Sequence, residues 1–303
     1  MTATQSLQIA VLGAGNIGSA FAFQLARIGG HDLTVIARPC SLRYQKLLLD
    51  NGIIDINNER ATVIITDQLN EEIEYDAIVV TLLAHQLETV STSIKKSKAK
   101  SLLFMFNNFD PERIQEMFGV DRCVFGMPFI QSFINEEGKI NATIGAGGQK
   151  TKLGEQFWVD VFNAANIPAS LEPKMSLWLR CHVPICIALE SSSFAGVRRA
   201  GEATWAESMM IAQGVHECYR LIKGLGYNIY PSGKARINQS PAWLLGGMLW
   251  LLTRVRSFRE LLALGAPECS ALVDLLASLA PLSQYPIDIN KIIAMKPSEI
   301  IGN

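Results

Sequence analysis

The stretch from Ser6 to Gly30 reads SLQIAVLGAGNIGSAFAFQLARIGG, and it restricts the fold more than any other part of the chain. A short apolar run ends at Gly13, two more glycines follow at Gly15 and Gly18, and a helical pattern begins at once. Glycines spaced G-x-G-x-x-G between strand and helix have three uses. The first lets the chain turn tightly, the second admits a pyrophosphate against bare backbone, and the third lets the helix pack close on the strand. The N–H groups of the helix start, at Asn16 and Ile17, then serve the phosphates. The motif therefore assigns Gly13, Gly15, Asn16, Ile17 and Gly18 to a dinucleotide.

Short β-type runs and helical patterns keep alternating through the first half: LTVIA, ATVIIT, DAIVVTLL, a helix after Gln86, SLLFMF and a helix after Pro111. Such alternation specifies a doubly wound, mostly parallel sheet. FINEEGKINATIG reads as a hairpin turning at Glu137 and Gly138, TKLGEQFWVDVFNAAN as a helix packed on a sheet, and IPASLEPK as the exit. Beyond Lys174 the patterns are helical. The expected fold is α/β, an N-terminal Rossmann-type doubly wound sheet followed by an all-helical C-terminal domain. The boundaries are 1–173 for the NADP-binding domain and 174–303 for a helical substrate and dimerisation domain. A chain of 303 residues with 49% hydrophobic content suits two domains. The polar stretch from Tyr230 to Ser240 is expected as an ordered loop, and the apolar run from Ala242 to Thr253, too short to span a bilayer, as a buried core helix or a dimer face.

A net charge of -1 gives no electrostatic footprint for nucleic acid or an anionic membrane, so the expected partners are small molecules. The N-terminus has no basic region before its apolar run, and a cytoplasmic protein is expected. Six cysteines carry no metal-ligand spacing and are expected as buried, reduced thiols, with no metal site.

The second strand ends in VIARP. An NAD site places an acidic residue there for the ribose 2′-hydroxyl, whereas this chain offers Arg38, with Ser41 and Arg43 close behind. A guanidinium suits a 2′-phosphate. One charge-assisted contact is worth about 1.5 to 3 kcal/mol, roughly a ten- to hundredfold preference for NADP over NAD. His85 and Gln86 lie at the end of the fourth strand, where adenosine or pyrophosphate contacts are made, and Asn107 follows the next strand, either to cap the helix at Pro111 or to face a ligand.

With GAGNIG, the arginine of VIARP, VVTLLAHQ, FMFNN, SLWLRCHVPICIAL and APECSALVDLL, the chain resembles the ketopantoate reductase (2-dehydropantoate 2-reductase) family over nearly its whole length. The resemblance implies NADPH and a 2-oxo acid bound between a Rossmann domain and a helical domain, in pantothenate biosynthesis, with a homodimer as a further possibility. Its catalytic lysine falls on Arg180, its glutamate on Glu268 and its nicotinamide-side asparagine on Asn107. Two helix asparagines of the family fall on Pro184 and Ala188, and a cofactor lysine on Leu83. Arginine has a pKa above about 12 and is a poor proton donor. His182 is the titratable neighbour, but residues two apart on a helix face different ways unless Pro184 distorts it. Arg256 and Ser257 are candidates for a substrate carboxylate.

The implied activity is an NADPH-dependent reduction of ketopantoate or a related 2-oxo acid to the 2-hydroxy acid. The alternatives are a dehydrogenase of an imine or amino-acid-like substrate, and an NADPH-binding paralogue without catalysis.

Overall fold

The computed structural model describes residues 6–145 and 148–297. The chain divides into two compact units, Met1–Ser176 and Leu177–Asn303. In chain order the first contains β1 (Gln8–Leu12), α1 (Asn16–Arg27), β2 (Asp32–Ile36), α2 (Leu42–Asp50), the short pair β3 (Ile53–Ile54) and β4 (Arg60–Ala61), β5 (Ile64–Thr66) and β6 (Ala77–Val80). There follow α3 (Leu87–Lys96), β7 (Ser101–Met105), α4 (Pro111–Phe118), β8 (Cys123–Met127), the hairpin β9 (Ile130–Ile134) and β10 (Ile140–Ile144), β11 (Thr151–Leu153), α5 (Gln156–Ala164) and β12 (Ala169–Leu171).

The main sheet runs β12-β11-β8-β7-β6-β1-β2-β5. Its six strands from β8 to β5 are parallel, and β11 joins β8 antiparallel. Chain direction across the sheet reverses between β1 and β6, so their carboxyl ends flank the point where such sheets bind ligands. Side chains alternate between the two faces. Ile9, Val11, Leu33, Val35, Val79 and Leu103 share one cluster with Phe21 and Leu25 of α1 and Trp158 and Phe162 of α5. Phe104, on the opposite face, packs on Phe118 of α4 at 5.5 Å between ring centroids. Strands covered on both faces read as continuous apolar runs, and these do.

The exit segment holds more structure than the sequence suggests. Ala169–Leu171 pairs parallel with β11 as the sheet's edge strand, and the Asn163 side chain clamps the backbone N–H and carbonyl of Ala169 at 2.9 and 3.3 Å. Pro168 is tolerated because its carbonyl still accepts from Thr151 N–H.

The second unit contains α6 (Met175–Arg198, which begins in the first), α7 (Trp205–Gly224), α8 (Ser232–Gln239), α9 (Ala242–Leu252), α10 (Arg256–Leu262), α11 (Ala266–Leu279) and α12 (Ile289–Ile293). Among the described residues no strand follows β12. α7 starts at a capping box in which Thr204 Oγ accepts from Glu207 N–H and the Glu207 carboxylate accepts from Thr204 N–H.

One expectation fails in this unit. The stretch expected as a loop between Tyr230 and Ser240 carries α8, with Pro231 extended at its N-cap, where the missing N–H costs no helical hydrogen bond. α9 is buried on one side only, short of a core helix. Leu245 and Leu249 are buried, while Trp243, Leu244 and Leu251 are more than half exposed, and its apolar character on all sides hid which face packs. Of the cysteines, five are buried and free as expected, but Cys40 is exposed. No helix among the described residues is long and apolar enough to cross a membrane, and none of their acidic, His and Cys side chains group as a metal site.

Phe162 is fully buried and meets Phe21 edge-on at 5.2 Å, joining α5 to α1 across the sheet face. Phe162→Ala is expected to cost about 3–5 kcal/mol by leaving a cavity there, measured as a lower denaturant midpoint.

Candidate functional site

The glycine-rich turn sits at the carboxyl end of β1. Gly13 takes φ +113, a region closed to most side chains, and its N–H donates to Ile36 O at 3.1 Å. Thr81, one residue past β6, donates its hydroxyl to Gly13 O at 3.0 Å, so both strands of the switch point hold the turn. A Cβ on Gly18 would fall 1.9 Å from Gly13 O, which shows how closely α1 presses on the turn. Gly15 differs: a Cβ there would meet nothing within 4 Å. That open space, beside the N–H groups of Asn16, Ile17 and Gly18 at the start of α1, fits a dinucleotide's pyrophosphate. Asn16 also ties the turn to the hairpin, its Oδ1 accepting from Ile134 N–H at 3.1 Å.

Around this turn the other sequence-derived residues separate. Arg38, just past β2, is exposed, and its guanidinium has no hydrogen bond or ion pair among the described residues. Arg43 turns inward and bonds backbone. Gln86 Oε1 accepts from Leu83 N–H at 3.2 Å, closing its own turn. The side chain of His85 lies outside the described residues. Asn107 is buried just beyond β7, and its Oδ1 has no hydrogen-bond partner. It does not cap α4, since Asn108 Oδ1 is the atom that accepts from Asp110 N–H, at 2.9 Å. An unpaired buried acceptor at a strand's carboxyl end, near the switch point, is suited to a donor from a ligand.

In the helical unit α6 is continuous through Pro184. The distortion that would have brought His182 beside Arg180 is therefore absent. His182 stacks one turn away on Trp178, with centroids 4.4 Å apart. Burial and the nearby Lys234 push its pKa down to about 3, so it holds no spare proton at neutral pH. Lys234, from α8, donates to Trp178 O at 2.9 Å and lies 3.8 Å from the indole centroid. Arg180 is buried on another side of α6, its guanidinium 3.7 Å from the Tyr227 ring centroid. Arg256 is taken up by Glu260 at 2.7 Å on the surface, and Ser257 is exposed.

Glu190 is the group that sequence reasoning missed. Its carboxyl abuts Gly265, where a Cβ would come 2.5 Å from Glu190 Cδ. One of its oxygens is buried without a hydrogen-bond partner. Burial, reinforced by the nearby charge of Glu268, pushes its pKa up to about 9, so at neutral pH Glu190 is a carboxylic acid. The signal for it was present, since Glu190 is the only acidic residue in the long apolar helix α6. The presence of Glu268 beside it was not readable.

Residues 9–156 match the family model described as ketopantoate reductase PanE/ApbA. Residues 9–156 are a ketopantoate reductase family domain. The fold is likewise that of a PanE/ApbA family ketopantoate reductase from Ralstonia eutropha JMP134, with a TM-score of 0.70 at 15% identity over 96% of both chains. A probable 2-dehydropantoate 2-reductase panE from Bacillus subtilis gives 0.67 at 17% identity, over 96% of this chain and 98% of that one. D-mandelate dehydrogenase in complex with NADH gives 0.69 at 15% identity over 96% of both chains. Identities this low establish the fold alone. No curated protein matches the chain.

Within this domain the two outer glycines of the turn are structural and the middle one is open. Gly15→Val is expected to leave the melting temperature near that of the parent, because its side chain enters empty space, while abolishing nucleotide binding. Gly18→Val is expected to unfold the first unit. Thermal melts with and without NADPH distinguish the two.

Proposed function

We propose that the chain is an NADPH-dependent reductase of a small 2-oxo acid, ketopantoate or a relative, forming the 2-hydroxy acid. The observation that carries this reading is the open Gly15 turn at the β1/β6 switch point, followed at the end of β2 by an exposed arginine with no partner among the described residues. When bound, the dinucleotide supplies hydride to the carbonyl carbon. The unpaired Oδ1 of Asn107 suits the carboxamide N–H of a nicotinamide. Arg180, held flat against Tyr227, is suited to gripping an anionic group. Glu268 orients the substrate.

The proton comes from Glu190. The carbonyl π bond breaks, carbon takes the hydride, oxygen takes the Glu190 proton, and Glu190 is left as a carboxylate that solvent reprotonates. General acids of this kind contribute roughly 10²–10⁴ in rate. The resulting 2-hydroxy acid would serve pantothenate synthesis if the substrate is ketopantoate. A second reading, a nucleotide-binding protein without catalysis, rests on Arg180 standing where the resemblance places a lysine.

Two measurements test the proposal. In the first, NADPH is expected to raise the melting temperature more than NADH at equal concentration, and Arg38→Ala to shrink the difference. Equal shifts in the parent would remove the NADP assignment and leave NADH, the cofactor in the D-mandelate dehydrogenase structure. In the second, NADPH consumption is followed with a panel of 2-oxo acids across pH. Turnover is expected to fall as pH rises through about 9, where Glu190 loses its proton, and Glu190→Gln to lose at least about 100-fold of it. Binding with no turnover on any acid supports the second reading.

Stability supplies an independent check on Glu190. Its folded pKa is raised above the ordinary 4.5. Its contribution is therefore fully present below that value and is lost as pH rises toward about 9. Glu190→Gln is expected to flatten the pH dependence of the melting temperature across that window.

A further inference from the structure

Arg43 looks at first like a second basic group for a 2′-phosphate, five residues past Arg38. Its three donor nitrogens are directed elsewhere. Nε donates to Ala14 O at 3.3 Å, Nη2 to Ser19 Oγ at 3.0 Å and Nη1 to Gly138 O at 2.6 Å. Ser19, fully buried in α1, passes its own proton to the same Ala14 O at 3.0 Å. The carbonyl in the middle of G-x-G thus receives two hydrogen bonds from behind, and the guanidinium that organises them is anchored at the tip of the β9–β10 hairpin.

The geometry of the peptide bond gives this a consequence. Across a trans peptide the carbonyl and the following N–H point in opposite directions. Fixing Ala14 O toward Arg43 and Ser19 turns Gly15 N–H away from them. If that peptide plane flipped, an oxygen rather than a proton would face the pyrophosphate. We propose that Arg43 is a positioning residue for dinucleotide binding: with Ser19 it locks the Ala14–Gly15 peptide so that the turn presents donors to the phosphates, and it makes no contact with the nucleotide itself. The hairpin is part of the device, because Gly138 O holds one arm of Arg43 while Ile134 N–H holds Asn16.

This inference rests on the nucleotide reading of the turn, and its test separates the two. Dissociation constants for NADPH and NADH are measured by fluorescence titration in the parent, Arg43→Met, Arg43→Ala and Arg38→Ala. Because the pyrophosphate is common to both nucleotides, Arg43→Met is expected to weaken NADPH and NADH by the same factor, at least tenfold, leaving their ratio unchanged. Arg38→Ala is expected to change the ratio. Free guanidinium ion is expected to restore affinity in Arg43→Ala and do nothing for the parent. A purely structural arginine would lower the melting temperature without moving affinity measured below it.

If Arg43→Met does not fold, Ser19→Ala removes one of the two bonds to Ala14 O and is expected to weaken both nucleotides severalfold. Parent-like affinity in a folded Arg43→Met, or in Ser19→Ala where that variant stands in, overturns the proposal. A loss confined to NADPH also overturns it, since Arg43 would then read the 2′-phosphate directly. Binding of neither nucleotide by the parent defeats the nucleotide reading, and this inference with it.

Discussion

The first unit depends on the approach of α1 to the end of β1 at Gly18 and Gly13. A single methyl group at Gly18 would lie 1.9 Å from Gly13 O, so only glycine allows the helix to begin where it does. That contact sets where the helix N-terminus points and how far Gly15 stands from its surroundings. It also places Ser19 under the turn, where it reaches Ala14 O. Steric permission at one residue thereby sets up the electrostatics of the next five, since the first-turn N–H groups have no acceptor within the helix. Thr81 and Arg43 secure the turn from the β6 side and from α2, so the turn is braced on the sides away from the open one.

Much of this architecture was legible because the residues involved are local. The apolar runs of β1, β2, β6 and β7 are each followed by a helical pattern, and a turn motif a few residues long carries its own steric explanation. The hairpin turn at Glu137 and Gly138 was likewise readable. What escaped depends on partners far apart in the chain. Whether Arg43 points outward or inward is decided by Gly138, and nothing in LRYQKLL announces that. α8 was hidden because its one buried side chain, Lys234, is stabilised by the Trp178 backbone and ring rather than by an apolar stripe. Glu190 was visible as an oddity in an apolar helix, but its protonated state comes from burial in the folded unit, reinforced by Glu268 from another helix.

The alternative place for an acid explains why Glu190 stands where it does. On α6, positions 184 and 188 lie one and two turns beyond Arg180 on nearly the same face, about 6 and 12 Å along the axis. A carboxyl at 184, one turn away, would sit within reach of the Arg180 guanidinium, which favours the ionised form and leaves no proton to give at neutral pH. Those positions hold Pro184 and Ala188, neither of which titrates. Glu190 is about 15 Å along the axis from Arg180 and rotated away from it. There the charge acting on it is Glu268, which disfavours ionisation, and burial acts in the same direction. An arginine is a poor proton donor, and its charge also keeps a close carboxylic acid from staying neutral. Under the proposed reductase reading, an acid on this helix has to be set apart from the cation and next to a like charge, and Glu190 meets both conditions.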